Sequence, residues 1–226
     1  MFMKGELEVT SLSPVLADPI PMPCRHQCDR FFFAICPDAE TAAAIDAFVA
    51  REVPEGRRLP LAHQHVTLAL TEDFAVYPAG MVERLLRAGG EVEAASFELR
   101  LTRLSASRHS VALCPEQPEP SLIALQRAIA DAMARQGIAM RSGWRFSPHQ
   151  TLCYRKGEAF ARIVEGFIWR AREFVLIRSL VGLSRHERVG CWPLRANGGH
   201  WSCERVCAIP AHLRPCCVSR WLICPQ

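Results

Sequence analysis

The sequence HVTL stands at residues 65–68, and HQTL follows at residues 149–152, 84 positions further along (149 − 65). Each copy opens a short apolar run that is typical of a β-strand. Because side chains i and i+2 of a strand point to the same face, His65 lies beside Thr67 and His149 beside Thr151. We predict that the two strands face each other and gather two imidazoles and two hydroxyls around one small cleft.

The chemistry of such a cleft follows from its groups. Histidine can act as an acid or as a base near neutral pH, so a pair can divide the two tasks. Threonine hydroxyls can donate hydrogen bonds to phosphate oxygens. Because no carboxylate accompanies the pattern, we expect no metal and no cofactor. The groups favour in-line displacement at a phosphate ester; the alternative is a pair of strand-end histidines with threonine present for its β-propensity.

The sequence around the two motifs predicts a mixture of strands and helices. Asp38 is a candidate N-cap, Gly89 and Gly90 are expected to end a second helix, and Gly137 a third. An order without strict alternation favours an α+β fold over a doubly wound parallel sheet. The predicted strands span 30–36, 65–70, 97–104, 110–114, 149–154, 169–179 and 191–195, and the predicted helices begin near 38 and span 78–88 and 120–136.

Composition excludes several classes of protein. The chain has 226 residues, of which 50% are hydrophobic and 22% charged, and a net charge of +4. These values exclude a wholly disordered chain and do not indicate a strongly basic nucleic-acid coat protein. No apolar run approaches the roughly 20 residues of a membrane span. With 11 cysteines and no secretory signal, we expect a monomeric cytoplasmic protein with reduced thiols and no membrane partner.

Three segments differ in character. Residues 1–28 contain four prolines within ten positions and are predicted to form a flexible N-terminal extension. Residues 29–197 carry the predicted domain. Residues 198–226 form a Cys-rich tail to which we assign no function. Most of the cysteines lie in the two flanks, at spacings unlike those of common zinc modules, and we expect a chain ending near Asn197 to keep its activity.

Four stretches resemble the 2H phosphoesterase superfamily, and within it the bacterial RNA 2′,3′-cyclic phosphodiesterases, also called 2′-5′ RNA ligases. Residues 30–35 (RFFFAI) are similar to the first strand of that family, and residues 65–70 (HVTLAL) to the strand of its first motif. Residues 145–152 (RFSPHQTL) resemble the second motif, and residues 174–183 (FVLIRSLVGL) a late strand. The resemblance covers about residues 29–195.

The resemblance implies a bilobal α+β fold with pseudo-two-fold symmetry, in which antiparallel sheets flank a central cleft. It implies hydrolysis of an RNA terminal 2′,3′-cyclic phosphate to a 2′-phosphomonoester without a metal. Under this reading His65 is the acid and His149 the base, although the sequence does not fix that polarity, and Thr67 and Thr151 hold the phosphate oxygens. The alternatives are an RNA- or nucleotide-binding module with weak catalysis, and an enzyme for 2′-5′ linkages or small cyclic nucleotides.

The chain also departs from the family pattern. Arginine often stands five residues after the second histidine, where this sequence has Tyr154; Arg155 follows and would face the other side of a regular strand. A tyrosine common near the last strand is missing from residues 184–188. Because phosphate contacts dominate RNA binding, we predict Arg58, Arg145 and Arg155 as RNA-binding residues. Arg57 and Arg141 are further candidates for lining an RNA path, and solvated loop charge is the alternative.

Overall fold

A computed structural model describes residues 28–196 of the chain. The predicted N-terminal extension and Cys-rich tail lie outside the described residues, apart from Cys28. A short 3₁₀ turn spans Leu61–His63. The strands are β1 (Cys28–Ile35), β2 (Arg57–Arg58), β3 (Val66–Phe74), β4 (Phe97–Ala106), β5 (Ser110–Cys114), β6 (Gln150–Tyr154), β7 (Phe160–Ala171), β8 (Glu173–Val181) and β9 (Arg185–Pro193), and the helices are α1 (Ala39–Glu52), α2 (Ala79–Gly90) and α3 (Pro120–Arg135).

The strands form one sheet in the order β7-β4-β5-β6-β3-β1-β8-β9, and all neighbouring pairs are antiparallel. A single residue pair, Val66 with Gln150, joins β3 to β6 at the centre. The two halves therefore repeat outward from that junction, with β3, β1, β8 and β9 on one side and β6, β5, β4 and β7 on the other. The predicted α+β, bilobal architecture is confirmed, but the two predicted sheets are two halves of one continuous sheet.

All three helices cover the same face of this sheet. Residues at helical spacing, such as Ile45 and Val49 of α1, are buried in one core with Phe31 and Phe33 of β1. The intervening Phe32 belongs to a smaller apolar cluster on the opposite face. The sheet thus has a helix-covered face and a second face, on which the motif side chains lie.

Local signals explain where two helices begin and end. The side chain of Asp38 accepts a hydrogen bond of 2.8 Å from the backbone N–H of Thr41, so the predicted N-cap of α1 is confirmed. Gly137 has a φ of +67° directly after α3, in the left-handed region that favours glycine. Its predicted role as a helix stop is also confirmed.

The predicted end of α2 is wrong, because Gly89 and Gly90 lie inside the helix and Glu91 caps it. A Cβ atom added at Gly89 would overlap the indole ring of Trp192. The glycine is therefore required for close packing of α2 against β9.

The strand predicted at 169–179 is also wrong, since it is two strands that meet at Arg172. The sequence contains no glycine or proline at this turn that would have indicated it. The first residues of β7 are exposed, so the first half of the strand shows no alternation of apolar and polar residues. The last strand begins at Arg185, earlier than predicted, and the short strand β2 was not predicted.

Candidate active site

The central junction of the sheet brings the two motifs together. Val66 and Gln150 are paired and fully buried, so the residues that flank them point to the other face. In an antiparallel pair, this register sets His65 opposite Thr151 and Thr67 opposite His149. The four predicted side chains thus form one group across two neighbouring strands of the sheet.

The two imidazoles are held in the same way. Nδ1 of His65 lies 2.7 Å from the carbonyl oxygen of His63, and Nδ1 of His149 lies 2.7 Å from that of Ser147. A carbonyl can only accept, so each Nδ1 carries the hydrogen. In both rings Nε2 is therefore the nitrogen that can exchange a proton with a ligand.

Aromatic rings surround His65. The Phe32 ring stacks on it at 4.6 Å between centroids, and the His186 ring meets it edge-on at 5.6 Å. The pKa of His65 is lowered to about 4, mainly because the ring is shielded from water. The hydrogen bond to His63 raises the pKa, and the charge of nearby His149 lowers it, but both effects are smaller. His65 is therefore a neutral ring at neutral pH, whereas the ring of His149 is exposed to solvent.

His186 is a third histidine at this site that the sequence analysis did not predict. Its ring stacks on that of His63 at 4.0 Å, and its Nδ1 is buried with no hydrogen-bond partner among the described residues. Burial, reinforced by the neighbouring histidines, lowers the pKa of His186 to about 4. No short-range pattern could have found it, since it reaches the site only through the pairing of β9 with β8.

A buried amide pair links the motif strands to α1 beneath the site. Gln150 Nε2 donates to Gln64 Oε1 at 3.1 Å, and Gln64 Nε2 donates to the carbonyl oxygen of Ala42 at 3.1 Å. Gln64 and Gln150 each adjoin a motif histidine in sequence. This chain of hydrogen bonds therefore fixes the backbone on which both histidines stand.

The three predicted RNA-binding arginines have different environments. Arg58 forms an ion pair of 2.6 Å with Asp46 of α1, on the helix-covered side. Arg155 is largely buried; its guanidinium donates to the carbonyl oxygen of Glu158 and lies over the Phe160 ring. Arg145, four residues before His149, is exposed. The structure therefore brings neither Arg58 nor Arg155 to the four motif side chains.

Between residues 28 and 196, no group of three or more His, Cys, Asp or Glu side chains is arranged to hold a metal ion. No helix in the same range is long and apolar enough to cross a membrane.

The α+β fold with its antiparallel sheet is that of the LigT-like 2H phosphoesterases. The family model described as the 2′-5′ RNA ligase superfamily matches residues 37–182, and the chain belongs to this superfamily. Phosphoesterase activity is consistent with that membership. No curated protein sequence matches the chain.

Solved structures support the same placement. LigT of E. coli, crystallised with 3′-AMP, is 27% identical with a TM-score of 0.62, over 74% of this chain and 99% of that one. A protein described as a phosphoesterase is 27% identical with a TM-score of 0.63, over 75% and 99%. The protein TT0787 of Thermus thermophilus, at 21% identity and a TM-score of 0.60 over 74% and 98%, shares the fold.

Proposed function

We propose that this protein hydrolyses the 2′,3′-cyclic phosphate at the end of an RNA to a 2′-phosphomonoester, without a metal. The observation that carries the proposal is the register at Val66 and Gln150, which sets each motif histidine opposite the threonine of the other motif. A tetrahedral phosphate between the two strands would meet an imidazole and a hydroxyl from each side. This arrangement suits in-line displacement, in which the attacking and leaving oxygens lie on opposite sides of phosphorus.

The reaction divides between the two histidines. Nε2 of His149 takes a proton from a water molecule as the water oxygen attacks phosphorus. The bond between phosphorus and O3′ breaks, and Nε2 of His65 gives its proton to O3′. The products are a 2′-phosphomonoester and a free 3′-hydroxyl, and exchange of one proton each with solvent restores both rings. Thr67 and Thr151 donate hydrogen bonds to the non-bridging oxygens.

The surroundings of the two rings support this division. His149 is exposed, so water can reach it. His65 is half-buried and neutral in the free protein, with a pKa of about 4. A bound phosphate brings a negative charge beside His65, which favours the protonated ring. We therefore propose that His65 takes up its proton when the substrate binds and then acts as the general acid.

The relatives support a nucleotide ligand. LigT of E. coli has been crystallised with 3′-AMP, ATP, NADP+ and phosphate. In this chain a shallow cavity of about 450 Å³ opens beside His186, with Leu61 and Ile177 among its walls. Those apolar walls suit the flat face of a base. A second candidate, supported by the same complexes, is action on a small nucleotide in place of an RNA end.

The test is incubation of the protein in EDTA with an RNA that ends in a 2′,3′-cyclic phosphate. We expect ring opening to a 2′-phosphate, and loss of it in His65→Ala and in His149→Ala. Parallel reactions with cyclic mononucleotides and a 2′-5′-linked dinucleotide identify the preferred substrate. Absence of ring opening, with binding of the RNA retained, would replace the proposal by a binding module. Activity that survives both substitutions would exclude the two-histidine mechanism.

A further inference from the structure

Strand β6 contains an irregularity just after the second motif. Ala112 of β5 is opposite Thr151, but the preceding Val111 is opposite Cys153, so Leu152 is an extra residue in β6. Both Leu152 and Cys153 are buried in the helix-covered core. The alternation therefore resumes one position late, and Tyr154 comes to the same face as Thr151 and His149.

The short strand β2 pairs with the other edge of β6, opposite β5, and places two adjacent arginines on opposite faces of the sheet. Arg57 is opposite Tyr154, whereas Arg58 is opposite Cys153 and is paired with Asp46 behind the sheet. The Arg57 guanidinium lies over the Tyr154 ring, 5.1 Å from its centroid. Arg57 thus stands on the face that carries the motif side chains.

A glycine allows this close approach of β2. A Cβ atom added at Gly56 would lie 2.6 Å from Sγ of Cys153, a separation that real side chains do not reach. Gly56 therefore permits the backbone contact that puts Arg57 over Tyr154.

The guanidinium group of Arg57 is available to a ligand. Among residues 28–196, no carboxylate forms an ion pair with it and no acceptor forms a hydrogen bond with it. Its side chain is exposed, but the contact with Tyr154 limits the orientations that it adopts. A planar guanidinium with open donors, fixed in advance over a ring, is suited to bidentate contact with phosphate.

The reach of Arg57 includes the motif residues. Tyr154 is separated from Thr151 by two pair positions along β5, which is about 7 Å at 3.4 Å per residue. We propose that Arg57 donates to the oxygens of the phosphate held between the two motifs, and that Tyr154 is a positioning residue that orients it. This inference rests on the proposed function for the identity of the substrate, but not for the presence of a phosphate site.

The first experiment compares turnover of the cyclic-phosphate RNA by full-length variants. We expect Arg57→Ala to lower kcat/KM about 100-fold, the usual loss for one donor to the reacting oxygens. Arg57→Lys keeps the charge without the fork and recovers part of the loss. Tyr154→Phe keeps the aromatic ring, so its kcat/KM should equal that of the wild type. Tyr154→Ala should lower kcat/KM about 10-fold, because Arg57 would no longer be oriented for its charged hydrogen bond.

The matched control is Arg51→Ala. Arg51 also lies over an aromatic ring, that of Phe48 at 5.5 Å, but on α1. We expect this variant to have the wild-type kcat/KM. Arg58 is adjacent to Arg57 but lies on the other side of the sheet, so Arg58→Ala should lower kcat/KM less than Arg57→Ala does. Melting curves of all variants identify any change that comes from loss of folding.

A second readout separates this inference from the proposed function. Titration calorimetry with inorganic phosphate needs no turnover, and we expect Arg57→Ala to weaken binding about 10-fold, as expected for one charge-assisted hydrogen bond. If the wild type binds phosphate through Arg57 but opens no RNA ring, the proposed function fails and the assignment of Arg57 stands. If the kcat/KM and the phosphate affinity of Arg57→Ala both lie within twofold of those of Arg51→Ala, the assignment of Arg57 as a phosphate ligand is overturned.

Discussion

At the scale of single residues, His65 combines a fixed tautomer with an apolar environment. Its Nδ1 is bound to the carbonyl of His63, and its ring lies against Phe32. We predict that NMR titration of the ring nitrogens gives a pKa of about 4 for His65 in the free protein. Sulfate, whose charge does not change over this pH range, should raise that pKa because an anion favours the protonated ring. A free-protein pKa above 6, or one that sulfate leaves unchanged, would contradict the account.

The two motif threonines offer a second prediction at this scale. Thr67→Val and Thr151→Val keep the branched shape and remove only the hydroxyl. Each should lower kcat/KM about 10- to 100-fold, because a hydrogen bond to a charged group contributes roughly 1.5–3 kcal/mol. The measurement is steady-state hydrolysis, with thermal unfolding as the control for folding. Equal kinetics for valine and threonine would show that the hydroxyls do not contact the phosphate.

Single residues also show what could be predicted from the sequence. The motif histidines and threonines were found because a strand places positions i and i+2 together and the pattern occurs twice. His186 and Arg57 could not be found in that way. One depends on the pairing of β9 with β8, and the other on an extra residue in β6, and both are long-range consequences of folding.

At the scale of elements, the contact between α2 and β9 depends on a glycine. Gly89→Ala would press a methyl group into the indole of Trp192, and overpacking of this kind costs about 1–3 kcal/mol. Gly80 is in the same helix with open space around it, so Gly80→Ala should be neutral or stabilising by about 0.5–1 kcal/mol. Urea unfolding of both variants checks the prediction. Equal stability would mean that the helix does not approach the strand this closely.

The elements that were predicted correctly have strong local signals. The bounds of β5 and the start of α3 are as expected, since apolar residues mark the strand and Pro120 marks the first turn of the helix. In β4 the apolar alternation holds for Phe97, Leu99 and Leu101 but shifts before Arg103, where the register with β7 changes by two residues. Such a step is set by the partner strand and leaves no trace in the local pattern.

At the scale of the whole molecule, the half-buried residues His65 and His186 couple folding to pH. His65 and His186 have a pKa of about 4 when folded, against about 6.5 when unfolded. Between these values the unfolded chain binds more protons than the folded chain, so the free energy of unfolding falls as the pH falls. We predict lower stability in urea at pH 5 than at pH 7. His186→Phe, which keeps a ring beside His63, should flatten the dependence; stability that is constant or rises toward pH 5 would contradict this.

The whole fold also explains why two distant motifs can act on one phosphate. The halves of the sheet repeat outward from Val66 and Gln150, and each contributes one histidine and one threonine at the junction. The predicted class of fold was correct because this repetition is visible in sequence as two similar motifs. The single sheet could not be predicted, since it depends on the pairing of β6 with β3 and β2, which lie far from it in sequence.

The central claim is that the two histidines act as a unit on one phosphate. The most direct test is single-turnover hydrolysis of a cyclic-phosphate RNA by the wild type, His65→Ala, His149→Ala and the double variant. Each single substitution should lower the rate by about 10²–10⁴-fold. The double variant should be little slower than the slower single variant, because residues that act together lose their effect together. Losses that multiply in the double variant, or a single variant that keeps the wild-type rate, would contradict the account.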